Sequence, residues 1–215
     1  MISQIVMSPI GFLRLTVEDG RVTGLEFVRG ADRMNRTTST SFTGPSARPS
    51  RGSSRGPSAH LPRGLSGGPS AGQSVCLSSG PSTGPRVVPL HTESSADGNE
   101  RDRNALAQAI QELDAYFAGR LRNFSVPIRL TGTRFQQSVW DALRQIGCGE
   151  TKTYRDVAMA VGSPGAARAV GNACAATPVA IIVPCHRVVA QTGLGGFGGG
   201  LDTKRWLLEL ESRHT

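Results

Sequence analysis

The 215-residue chain is long enough for one large domain or two small ones, yet only 38% of it is apolar and 5% aromatic. With 27 Gly and 13 Pro, part of it is expected to stay unpacked, and a net charge of +8 with a pI near 10.3 points to a polyanionic partner such as nucleic acid. No run reaches the roughly 18 apolar residues of a membrane span; no basic segment followed by an apolar one marks a secretory start; and four Cys without a C-x-x-C pair argue against a disulfide scaffold and for reduced thiols inside a cell.

The first 30 residues predict short strands over 5–7, 12–17 and 22–28, with turns at Ser8-Pro9-Ile10-Gly11 and Glu18-Asp19-Gly20. Residues 31–103 read as a disordered Gly/Pro/Ser/Arg insert. Between Gly44 and Pro85, 27 of 42 residues are Gly, Pro or Ser, and Gly-Pro-Ser recurs at positions 44, 56, 68 and 80, a 12-residue period. No apolar position recurs with it, so a stacked solenoid is not expected. A flexible loop from tandem duplication is one reading, and a loose Arg/Gly nucleic-acid arm is the other. His60, Cys76 and His91 are too irregularly spaced for a zinc site. This middle stretch also carries half of the charge excess: residues 31–104 are net +4, residues 105–215 net +4 and residues 1–30 neutral. The 22 Arg against 2 Lys fit phosphate binding, but base composition of the gene explains the bias equally well.

Residues 104–130 would complete an N-terminal domain. Asn104 is a candidate cap for a helix over 105–118, with Leu106, Ile110, Leu113 and Phe117 at helical spacing and Gly119 as its stop. Residues 124–130 alternate like an edge strand. The C-terminal domain, 131–215, opens with a helix over 134–146. Helices over 154–161 and 166–176 follow, joined by Gly162-Ser-Pro-Gly165. That pair is a helix-turn-helix candidate, although a helical hairpin with a Gly/Pro turn is also ordinary packing. Val179-Ala-Ile-Ile-Val183 reads as a buried strand ended by Pro184.

Cys185-His186-Arg187-Val188-Val189 comes next. A thiol beside His and Arg is expected to favour the thiolate; an inert buried Cys is the competing reading. On an extended chain Cys185 and His186 would face opposite ways, so a turn or a bridging water would be needed to couple them.

Pro184-Cys-His-Arg-Val-Val189 resembles the active-site motif of the O6-alkylguanine-DNA alkyltransferases (methylated-DNA–protein-cysteine methyltransferases). The likeness extends through Gly132-Thr-Arg-Phe-Gln136, Gly149-Glu-Thr-Lys-Thr-Tyr154, Arg168-Ala-Val-Gly171 and Gly199-Gly-Leu-Asp-Thr-Lys204, with Glu211. It covers residues 105–213 in register and, more weakly, the first strands. The resemblance implies an α/β (α+β) fold: a small N-terminal sheet domain interrupted by the insert, then a mostly helical C-terminal domain with a winged-helix-like helix-turn-helix. It implies repair of double-stranded DNA by irreversible, single-turnover transfer of an alkyl group from O6 of guanine, and also O4 of thymine, to Cys185. His186 would relay the thiol proton through a water, Glu211 would orient the imidazole, and Tyr154 would assist the leaving base. Ala166, Ala167, Ala169 and Gly171 would face the minor groove, with Arg168 filling the gap left by a flipped nucleotide. The Val188 carbonyl would accept from the exocyclic amine, and amides around Gly198 would face O6.

Some positions depart from the family pattern. Thr177 stands where Asn is usual, in the turn before the active-site segment, and offers fewer hydrogen-bonding positions. Phe197 keeps the ring but not the hydroxyl of a common Tyr, in a loop one residue short and rich in Gly. Residues 1–30 hold no Cys or His, so no metal is expected; nor is a cofactor, a membrane or an obligate protein partner, and the chain is expected to act as a monomer, in the cytoplasm of a bacterium or the nucleus of a eukaryote. The rival readings are a non-catalytic alkylguanine lesion sensor, which usually lacks the acceptor Cys, and a helix-turn-helix transcription regulator.

Overall fold

The computed structural model describes residues 1–28, 86–94 and 99–214; the 12-residue repeat lies outside them. Strands β1 (Ile2–Ser8), β2 (Gly11–Glu18) and β3 (Arg21–Phe27) form an antiparallel meander. Its second turn is Asp19-Gly20, both residues at positive φ (52° and 70°), the twist that suits a two-residue hairpin. Period-two alternation drives the sheet: Leu13, Leu15 and Val17 on β2 all point inward, joined by Ile2, Val6, Val22 and Leu25. A further strand, β4 (Val88–Ser94), pairs antiparallel with β1 and completes the order β3-β2-β1-β4. It lies within the stretch expected to be insert, so the fold resumes before residue 104. Composition hid it because only a short strand follows the Gly/Pro-rich run.

Helix α1 (Glu100–Phe117) packs across β1, β2 and β3. It starts one turn earlier than expected: Asn99, not Asn104, is the cap, its side chain accepting from the Asp102 amide at 2.8 Å. Buried Asp102 accepts from the Gly20 amide at 2.6 Å and lies 3.4 Å from the chain's N-terminal ammonium, which ties the helix start to the sheet. The edge strand expected over 124–130 is only an isolated parallel bridge, Val22 to Ile128. Pro127 has no N–H, and the Ser125 and Val126 amides donate to Glu112 (2.9 and 3.1 Å), so few donors remain for a ladder.

The remaining helices are α2 (Arg134–Arg144), α3 (Tyr154–Ala160), α4 (Ala167–Ala175) and α5 (Leu201–Arg213). Capping boxes start two of them, Thr133 with Gln136 for α2 and Thr153 with Asp156 for α3. The Trp140 indole N–H donates to the Ala173 carbonyl at 2.9 Å and fastens α2 to α4. Two short strands, β5 (Lys152–Thr153) and β6 (Val188–Val189), pair in parallel just before α3. The strand expected over 179–183 is instead a buried tight turn. Val179 bridges Leu25, Ala180 bridges Val183, and Ile181 sits at φ 69°. An unbroken apolar run marks burial without fixing conformation, and a β-branched residue in the left-handed region is strained. That strain lies four residues before Cys185. Among the described residues, no helix is long and apolar enough to cross a membrane.

Candidate active site

The sharp turn through Ile181 delivers the chain into a single 3₁₀ turn, Cys185–Arg187. Its amides are bonded locally, Cys185 to the Val183 carbonyl (2.8 Å) and Arg187 to the Pro184 carbonyl (3.0 Å). With three residues per turn, successive side chains fan out at about 120°, so Cys185, His186 and Arg187 leave in three directions. A turn therefore stands in place of the extended chain on which Cys185 and His186 would face opposite ways. All three side chains are buried.

His186 and Arg187 turn toward Glu211 of α5. His186 Nε2 lies 2.7 Å from Glu211 Oε1. Arg187 clasps the same carboxylate with both Nε (2.9 Å to Oε2) and Nη2 (3.0 Å to Oε1), while its Nη1 donates to the Ile146 carbonyl at 2.6 Å. The Tyr116 hydroxyl from α1 donates to Oε1 at 2.7 Å, and the Gly149 amide donates to Oε2 at 3.2 Å. Burial alone would raise the Glu211 pKa; the hydrogen bonds from His186 and Arg187, with the Arg187 charge, outweigh it and hold the carboxyl well below the usual carboxylate range. An ionised Glu211 places the imidazole proton on Nε2. Nδ1 is then a bare acceptor, and it is buried with no protein partner. Burial, helped by the charges of Arg187 and Lys204, lowers the His186 pKa despite Glu211, so the resting ring is neutral.

Cys185 leaves the turn on the other side, into a cavity of about 260 Å³ lined also by Tyr154, Cys174 and Phe197. Gly171, Gly196 and Gly198 complete much of its wall. Burial pushes the thiol up to about 11; a hydrogen bond with the Thr177 side chain and the charge of Lys204 oppose this only in part. The sequence-based expectation of a favoured thiolate therefore fails for the resting site. Arg187, adjacent in sequence, is committed to Glu211 and does not serve the sulfur.

Tyr154 opens α3, its hydroxyl donating weakly to the Gly196 carbonyl at 3.4 Å. Burial, then Cys174, raises its pKa. Gly195 is at φ 71°, and a Cβ there would meet the Tyr154 ring at 2.8 Å, so only Gly fits beneath the ring. Phe197 packs edge-on against Phe27 and His186, at centroid separations of 5.5 and 6.4 Å. On α4 and its cap, Arg168 and Ala169 are exposed, and Ala166, Ala167 and Gly171 are half-buried. Val188 and Thr177 do not line the cavity. The Val188 carbonyl already accepts from Lys204 Nζ at 2.5 Å, so the expected contact with an exocyclic amine would have to use its second lone pair. Thr177 bonds the sulfur with its side chain, sharing its one hydroxyl proton with the Ala173 carbonyl at 3.4 Å. Among the described residues, no group of three or more His, Cys, Asp or Glu side chains could hold a metal ion.

Sequence reasoning missed four contributors. Tyr116 and the Gly149 amide reach Glu211 from distant segments, Arg187 was assigned to the thiol, and fully buried Lys204 ties Val188 to the Gly196 carbonyl (3.2 Å). Gly149, Arg187 and Lys204 lie inside the motifs that carry the family resemblance, and that is the signal that points to them. Tyr116 carried no local signal.

Residues 134–213 match the family model described as 6-O-methylguanine DNA methyltransferase, DNA binding domain, and residues 87–130 match that of the ribonuclease-like domain of the same enzyme. A methylated-DNA–protein-cysteine methyltransferase of Mycolicibacterium paratuberculosis is 49% identical over 131 residues, 60% of this chain and 79% of the relative. One from Mycobacterium leprae is 52% identical over 127 residues, 59% of this chain and 77% of the relative. The crystal structure of Mycobacterium tuberculosis O6-methylguanine methyltransferase superposes with a TM-score of 0.62 at 31% identity, covering 100% of this chain and 95% of that one. The complex of the Mycobacterium tuberculosis protein with DNA gives 0.62 at 33%, covering 99% and 94%. With this share of the relatives covered at this identity, the chain belongs to the methylated-DNA–protein-cysteine methyltransferase family.

Proposed function

We propose that the protein repairs double-stranded DNA by transferring an alkyl group from O6 of guanine, and also from O4 of thymine, irreversibly to the Cys185 sulfur. The observation that carries this reading is a buried thiol in a cavity on one side of a turn whose other side holds a neutral, carboxylate-mounted imidazole with a free nitrogen.

In the reaction, the thiol proton passes through a water to His186 Nδ1, and the imidazolium that forms is stabilised by ionised Glu211. The sulfur attacks the alkyl carbon in line; the S–C bond forms as the C–O6 bond breaks, and the electron pair stays on the guanine. Tyr154 supports that developing charge by hydrogen bonding or proton donation, and the proton held by His186 restores the balance as guanine leaves neutral. Raising the resting thiol to about 11 keeps it inert until the proton has somewhere to go. The thioether product has no leaving route, so each molecule acts once.

A base inside a duplex cannot reach a buried sulfur, so the nucleotide must be flipped out. The small side chains of Ala166, Ala167, Ala169 and Gly171 allow α4 to approach the minor groove closely, and exposed Arg168 fills the vacated stack. The two match the pairing of a shallow helix surface with a nearby cavity. Duplex DNA carrying labelled O6-methylguanine tests the proposal. One label per protein, ending in Cys185, supports it. Tight lesion binding without transfer would support a lesion sensor instead, and a sequence-specific footprint on undamaged DNA would support a regulator.

A further inference from the structure

We propose that Tyr116 is a positioning residue for alkyl transfer, its hydroxyl fixing the carboxylate oxygen on which His186 is mounted. The inference rests on the transfer chemistry above and assigns a role to a residue outside the cavity and the DNA-facing helix.

Tyr116 lies in the last turn of α1, 95 residues from Glu211 in sequence. Its ring is wedged against Phe117 and Phe124, with centroids 5.5 and 5.3 Å away, and is 2% exposed. A Phe would fill that apolar place without bringing a hydroxyl that has to be satisfied. The hydroxyl instead donates to Glu211 Oε1, the oxygen that also faces His186 Nε2. Burial, then the Glu211 charge and hydrogen bond, raises the phenol well above its ordinary value, so it stays a donor throughout the working pH range.

Two consequences follow from sharing one oxygen. The 2.7 Å bonds from Tyr116 and His186 join Arg187 Nη2 (3.0 Å) on Oε1, so the Tyr116 hydroxyl helps hold the carboxylate that orients the imidazole and its Nδ1. Each donor on Oε1 also draws charge from it, so Tyr116 restrains how strongly Glu211 holds a protonated imidazole. The other groups bearing on this pair are Arg187 and the Gly149 amide on the carboxylate, Lys204 acting on His186, and Cys148 with Arg122 beyond it. None of them changes in a Tyr116→Phe variant.

The test is the single-turnover rate of methyl transfer from O6-methylguanine duplex DNA, measured from pH 5 to pH 9 on the full chain. For Tyr116→Phe, the rate at neutral pH is expected to fall about tenfold, the scale of one lost charge-assisted hydrogen bond. The acid limb is expected to move to higher pH, because a less neutralised Glu211 raises the His186 pKa and protonates the relay earlier. DNA affinity should stay unchanged. A packing role alone would lower the active fraction but leave the rate constant and acid limb of the active molecules in place, and that result overturns the proposal. Should Tyr116→Phe fail to fold, 3-fluorotyrosine gives the answer. The chain has only two Tyr, so in a Tyr154→Phe background the label marks Tyr116 alone. A more acidic phenol should move the limb to lower pH relative to the unlabelled background, and an unmoved limb contradicts the inference. Absence of transfer by the unaltered chain would count against the function itself, separately from the role of Tyr116.

Discussion

The two faces of the Cys185–Arg187 turn are both buried, and they treat charge in opposite ways. On one face, Glu211 is ionised because Arg187, His186, Tyr116 and the Gly149 amide all donate to it. On the other, Cys185 has the Thr177 hydroxyl, the Lys204 charge and the amides of Cys185 and His186, yet among the described residues no cation bonded directly to the sulfur, and burial wins, so the thiol stays protonated. Burial by itself therefore does not decide the charge state; a cation bonded directly to the buried group does. The contrast also gives the site a direction, with a waiting proton on one side and a mounted acceptor for it on the other.

The largest effect expected from breaking the contrast is kinetic. Replacing His186 with Ala should slow transfer by roughly 10²–10⁴-fold in single-turnover assays, the usual worth of a general base, with lesion binding retained. Loss of lesion binding in parallel with transfer would mean that the imidazole serves structure more than proton transfer. Glu211→Ala attacks the same face through stability. It leaves the Arg187 guanidinium buried and unpaired, and should cost about 3–5 kcal/mol in denaturant unfolding. A loss under about 1 kcal/mol would show that the network is worth no more than a surface pair.

Each face should also own one limb of the stability–pH profile. Glu211 is held below its unfolded value, so its contribution is complete above the ordinary carboxylate range and is lost as the pH falls. The lowered His186 pKa acts in the same direction, beginning near the ordinary imidazole range, because the unfolded chain binds that proton first. The cavity thiols are raised, Cys185 to about 11 and Cys174 to about 12, mainly by burial. Their contribution is complete below the ordinary thiol range and is lost as the pH rises through those values. Cys174→Ala should therefore flatten the alkaline limb and leave the acid limb alone. The smallest effect is expected from Thr177→Val, which removes one hydrogen bond from the sulfur. It should change stability by about 1 kcal/mol or less and slow transfer slightly, since the thiol then rises further.

How much of this was legible in the sequence follows the same division. The meander and the helices over 134–146, 154–161 and 166–176 were readable because apolar spacing is a local signal. The start of α1 was misplaced by one turn because two Asn residues compete as caps. The choice was settled by Asp102, held by Gly20 some 82 residues earlier. Residues 179–183 were misread because a wholly apolar run has no period. At the site, Cys185, His186 and Glu211 were recognisable from the resemblance. The direction taken by Arg187 was not, since it depends on a carboxylate 24 residues away, and Tyr116 is 95 away. Polar networks assembled across such separations leave no mark on any one window of sequence.

The most direct measurement is the mass of the peptide containing Cys185 after incubation with duplex DNA carrying O6-methylguanine. The account predicts the gain of one methyl group on Cys185, no gain on Cys174, and no transfer by the Cys185→Ala protein. A full methyl equivalent on the Cys185→Ala protein, or on Cys174 of the unaltered chain, would contradict it.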